Sequence, residues 1–149
     1  MKTYFALLLA TTFAVTTCYP VNDKQEDIPD ADTNNNGIRD DVEAYIDQQP
    51  YSARQLSAIR QLAKNVQLSV TFNSKGREAA RAISEQGSLA VNYIYSQFLV
   101  QKIPGLATAI SNAIENLTAN TRARKQSYDK FNKLLSGMSF KLSHGDTCE

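Results

Sequence analysis

Read for its alternation of apolar and polar positions, the chain falls into a short apolar run, a polar stretch, and a long region of helical periodicity. The run, from about Tyr4 to Val15, is about a dozen residues long, short of the roughly 20 that a membrane-spanning helix needs. Lys2 before it and small polar residues behind it complete the layout of a secretory signal peptide over residues 1–17. Residues 18–31 hold Pro20, Pro29 and several acids with little apolar period, so they read as a flexible tether. Beyond them, Val42, Tyr45 and Ile46 share one face of a short helix over 40–47, which carries carboxylates in its first turn and is ended by Pro50.

Longer helices follow. Ser52 is placed to cap a helix in which Leu56, Ile59, Ala63, Val66 and Val70 recur at spacings of three and four, with Leu62 widening the stripe. Asn73, Ser74 and Gly76 break the pattern. It resumes with Ala79, Ala82, Ile83, Ala90, Val91, Ile94 and Phe98, where Gly87 and Ser88 are the positions at which this helix would bend. Pro104 interrupts again, and Leu106, Ile110, Ala113, Leu117, Thr121, Tyr128, Phe131 and Leu135 predict a third long helix reaching Gly137. No segment sustains strand alternation. The expectation is an all-α protein, an antiparallel helical bundle of three long helices plus one short helix, with a domain over 32–137 and an irregular tail over 138–149.

At 149 residues the chain suits a single domain, since removing the leader leaves about 130, enough for one core. Lys and Arg (16) nearly balance Asp and Glu (15). That balance gives no basic surface for nucleic acid, and with no Trp there is no evident stacking platform for bases or sugars.

Candidate chemistry concentrates in Asp30-Ala-Asp-Thr-Asn-Asn-Asn-Gly-Ile-Arg-Asp-Asp-Val-Glu43. Counting Asp32 as position 1 places Asn34 at 3, Asn36 at 5, Gly37 at 6, Ile38 at 7, Asp40 at 9 and Glu43 at 12, the ligand spacing of an EF-hand loop. Side-chain oxygens of Asp32, Asn34 and Asn36, the Ile38 carbonyl, Asp40 directly or through water, and a bidentate Glu43 would meet calcium's demand for hard oxygens. Gly37 permits the turn. Asn at positions 3 and 5 and a cation at Arg39 lower the charge of the site, which predicts an affinity near the roughly 0.1 to 1 mM of extracellular modules. Asp-Thr-Asn-Asn-Asn-Gly-Ile-Arg-Asp also resembles the repeats of thrombospondin type 3 and the calcium loops of dockerins, over about a dozen residues and in one copy. Without His or Cys the loop does not suit a transition metal.

Val15-Thr16-Thr17-Cys18 resembles a bacterial lipobox, in which the cysteine is lipidated; Thr17 stands where such signals usually carry Gly, Ala or Ser. The alternative is a disulfide between Cys18 and Cys148, the only two cysteines, which would close a loop of more than 100 residues and contribute up to about 4 to 5 kcal/mol. Arg122, Arg124 and Lys125 form a basic group that reads as a solvated face or as an anion patch, and Tyr93, Tyr95 and Phe98 read as core or as the lining of an apolar groove. No set of residues for nucleophilic catalysis stands out.

Together these features predict an exported, non-enzymatic calcium-binding helical protein of the cell envelope, periplasmic or lipid-anchored through Cys18, with a structural or adaptor role toward an envelope protein. Secretion is the alternative location. The alternative functions are a small hydrolase or lysis factor using the loop carboxylates, and a binder of lipid or another apolar ligand between the helices.

Overall fold

The computed structural model describes residues 31–73, 76–101 and 103–139. The signal-peptide segment, both cysteines, the tether before Ala31 and the tail from residue 140 lie outside the described residues. Those described form an all-α fold: α1 (Asp40–Asp47), α2 (Ala53–Val70), α3 (Arg77–Phe98) with a 3-10 turn at Leu99–Gln101, α4 (Leu106–Thr118) and α5 (Arg122–Leu134).

Local chemistry sets the helix starts. Ser52 caps α2 through a capping box in which its hydroxyl accepts from the Gln55 N–H and the Gln55 side chain accepts from the Ser52 N–H, a device worth about 1 kcal/mol. Asp40, Asp41 and Glu43 place negative charge in the first turn of α1, against the positive end of its dipole. At α4, Pro104 precedes a left-handed Gly105 (φ +78°) from which the helix begins.

Three chain crossings fix the direction of the central pair. Gln55 donates to the Gln97 carbonyl at 3.3 Å, Tyr93 to the Arg54 carbonyl at 3.5 Å, and Asn65 to the Ile83 carbonyl at 2.8 Å, so α2 and α3 run antiparallel. Gly87 lies against this contact, where an added Cβ would lie 2.5 Å from Asn65 Oδ1. The residue expected to bend α3 instead lets α2 approach, and α3 passes through it uninterrupted.

The core joins Ile59, Leu62, Val66 and Val70 of α2 to Tyr93, Ile94 and Phe98 of α3 and Ile110 and Ile114 of α4. Tyr51, between α1 and α2, meets Phe98 edge-on with ring centroids 5.0 Å apart. Tyr93 and Phe98 are thus core, whereas Tyr95 is exposed and shares a hydrogen bond with Thr108. At the start of α3 the buried residue is Ala80, while Ala79 and Ala82 face outward, one position away from the expected stripe.

The third expected long helix is two helices. α4 ends at Thr118, and Thr121 caps α5 by accepting from the Arg124 N–H at 3.2 Å. The apolar period persists across this break because both helices line the same core, which is why periodicity alone did not reveal it. Arg124 also departs from the solvated-face reading, since it is 1 % exposed and donates to Asn120 Oδ1 at 2.6 Å.

Candidate metal centre

The polar loop closes on itself before it reaches α1. Asn35 (φ +56°) and Gly37 (φ +84°) both take left-handed backbone, the conformation in which Asn and Gly are least penalised. Curled this way, successive N–H groups point inward. Asp32 accepts from the Asn36 N–H at 3.0 Å and the Gly37 N–H at 2.8 Å, one on each carboxylate oxygen. Asn34 and Asn36 brace the same turn by accepting from the N–H groups two residues on, at 3.1 Å and 2.8 Å.

Glu43 reaches back from the first turn of α1. Its Oε2 accepts from the Asn34 carboxamide at 2.8 Å and its Oε1 from the Asn36 carboxamide at 2.7 Å. Positions 3, 5 and 12 of the proposed loop therefore meet at one centre. Two partially positive amide groups aimed at a single carboxylate mark a place of negative potential. Among the described residues no group of three or more His, Cys, Asp or Glu side chains gathers. By residue type the loop holds two carboxylates and two carboxamides, the hard-oxygen kind of donor that calcium takes; here the two carboxamides present N–H to Glu43, while their oxygens and those of Asp32 accept backbone N–H groups.

Asp40 and Ile38 sit differently. Both Asp40 oxygens accept from Thr33, one from its N–H at 2.9 Å and one from its hydroxyl at 2.6 Å, while the Asp40 N–H donates to the Ala31 carbonyl. The Thr33 hydroxyl first, and then its N–H, hold the Asp40 carboxyl below its ordinary value. Ile38 turns its side chain into the core, where with Val42 and Ile46 it forms one buried ridge from the loop into α1. The aliphatic stem of Lys64 lies against the turn, with Cγ and Cε 3.3 Å from where a Gly37 Cβ would stand.

Arg39 ties the loop to the end of α4. It is 2 % exposed, donates to both oxygens of Asp41, and donates to the carbonyls of Thr118 at 3.1 Å and Leu117 at 2.9 Å. Those carbonyls lie in the last turn of α4, where intrahelical donors run out. Partial burial works against the Asp41 carboxylate, but hydrogen bonds from Arg39, the Arg39 charge, the Val42 N–H and the Arg124 charge outweigh it and hold its pKa low.

In the loop register Arg39 is a cation near the ligands, at position 8 where an EF-hand usually has an aliphatic residue; its buried anchoring role is not visible there. Helical spacing held the missing signal, because positions 39, 42 and 46 share a face. Similarly, the stripe of Thr121, Tyr128, Phe131 and Leu135 leaves a gap that Arg124 fills.

No family model, curated protein or solved structure matches the chain.

Proposed function

We propose that residues 32–43 bind one calcium ion, and that the ion clips the loop onto an antiparallel helical bundle in an exported protein of the cell envelope. The ligands are the side chains of Asp32, Asn34, Asn36 and Glu43 and the Ile38 carbonyl, with Asp40 completing the set directly or through water. The convergence of Asn34 and Asn36 on both oxygens of Glu43 carries this reading. A divalent cation satisfies that carboxylate more fully than two amide groups do, so its binding tightens the joint between loop and α1.

The role is structural. Ile38 and Arg39, inside the ligand sequence, anchor the loop to the core and to the last turn of α4, so order gained at the ion is shared with the bundle. The protein then serves as an adaptor toward an envelope partner, held at the membrane by a lipid on Cys18 or closed by a Cys18 to Cys148 disulfide.

Calorimetric titration of the mature protein with calcium tests the site. Wild type should give a saturable heat that Asp32→Ala and Glu43→Ala lose, and equal heats in all three would refute the assignment. The intact mass of the mature chain separates the lipidated from the disulfide-bonded form.

A further inference from the structure

A second feature lies away from the loop: a cleft of about 230 Å³ where α2, α3 and α5 diverge beside the end of α4. Leu62, Val66 and Val91 contribute its apolar wall, and Tyr128 brings an aromatic ring. Among the described residues that line it, Glu115 is the only one with a formal charge. Burial pushes the Glu115 carboxyl up, and no cation among the described residues forms an ion pair with it. We infer that this cleft binds a small organic ammonium ion, with Glu115 as counter-ion and the Tyr128 ring as an aromatic wall.

The polar groups around the carboxylate favour the same chemistry. Ser69 donates its hydroxyl hydrogen to the Asn65 carbonyl at 3.0 Å, and Ser88 does the same to the Ser84 carbonyl at 3.0 Å. Asn65 gives its amide to the Ile83 carbonyl. These bonds commit the hydroxyl hydrogens of Ser69 and Ser88 and one of the two amide hydrogens of Asn65, so both serine oxygens are left as acceptors and Asn65 keeps an acceptor oxygen beside its second N–H. Gly87 contributes by omission, because any Cβ there would displace Asn65 Oδ1. A carboxylate with acceptor oxygens in the same cleft suits a ligand head that only donates, and an alkylammonium is such a head. An anionic head would meet repulsion at Glu115.

Tyr128 supports the cation. Burial, and then the charge of Glu115, push its phenol up against an opposing hydrogen bond from Asn132, so it remains a neutral phenol. The negative face of its ring attracts a desolvated cation. The volume limits the rest of the ligand to a short chain or single ring, since clefts for drug-sized molecules begin near about 300 Å³.

Titration of the full chain with hexylammonium chloride, 1-hexanol and sodium hexanoate, followed by amide chemical shifts in calcium-containing buffer, tests the inference independently of the loop. Hexylammonium should shift amides of Ser84, Ser88 and Tyr128 and bind about tenfold or more tightly than hexanol, the gain expected of a charge-assisted contact. Hexanoate should leave them unmoved. Glu115→Gln should reduce hexylammonium to the hexanol level while the amide spectrum stays dispersed, and Ser88→Leu should fill the cleft and abolish both. Equal binding of hexylammonium and hexanol to wild type, a preference that survives Glu115→Gln, or shifts confined to the Asp32–Glu43 loop would overturn it. The wild-type comparison decides the matter even if a variant fails to fold.

Discussion

The guanidinium of Arg39 donates to the Thr118 carbonyl across 3.1 Å, although 79 positions separate the two residues in sequence. One buried side chain thereby joins the polar loop, the first turn of α1 and the last turn of α4. Arg39→Ala removes the hydrogen bonds to Leu117 and Thr118 and the partner of Asp41, so it should cost about 2 to 4 kcal/mol in urea unfolding. Arg39→Lys keeps the charge but not the planar fork, and should cost about half as much.

Acid should loosen the same joint. Asp41 is held below its ordinary value of 3.8, so between the two values the unfolded chain binds more protons than the folded one. Its contribution is therefore complete above the ordinary value and lost as pH falls through the lower, folded value; Asp40 acts in the same direction. Glu115, held above 4.5, acts oppositely, its contribution fading as pH rises. Urea midpoints across acidic pH should fall more steeply below about pH 4 for wild type than for Asp41→Asn. At neutral pH that variant should be about 1 to 2 kcal/mol less stable.

Gly87→Ala should reverse the usual preference of a helix for alanine. A Cβ placed 2.5 Å from Asn65 Oδ1 has to displace the Asn65 amide and its hydrogen bond to the Ile83 carbonyl, at a cost of about 1 to 3 kcal/mol against the roughly 1 kcal/mol that Ala normally gains in a helix. Asn65→Ala removes the obstructing atom. The double variant should recover part of the loss, and additive costs would place the strain elsewhere.

Much of the helical architecture was legible because its signals are local. The Ser52 cap, Pro50, the stripe through Ile59, Ala63, Val66 and Val70, and the break near Gly76 each act within a few residues. The division at Ala119 was not, because Leu117 and Tyr128 pack against one core and continue a single period across it. The turn at Gly37 was equally open to reading, and Asn34 and Asn36 do reach Glu43 through hydrogen bonds. What escaped was the work of the two buried arginines. A charge on a buried face is intelligible only once its distant partners are known, and those of Arg39 belong to α4. The Glu115 and Tyr128 pairing was hidden for the same reason, since it takes shape where four helices meet.

The central claim, that calcium clips the loop to the bundle, is tested most directly by thermal unfolding of wild type and Glu43→Ala with and without about 10 mM calcium. For a dissociation constant of roughly 0.1 to 1 mM, mass action gives wild type about 1.4 to 2.7 kcal/mol. That is a rise of roughly 5 to 10 °C in the midpoint for a domain of this size. Glu43→Ala should show almost none of it, and the same concentration of magnesium should raise wild type far less. A wild-type midpoint that calcium leaves unchanged, or an equal rise in Glu43→Ala, would contradict the account.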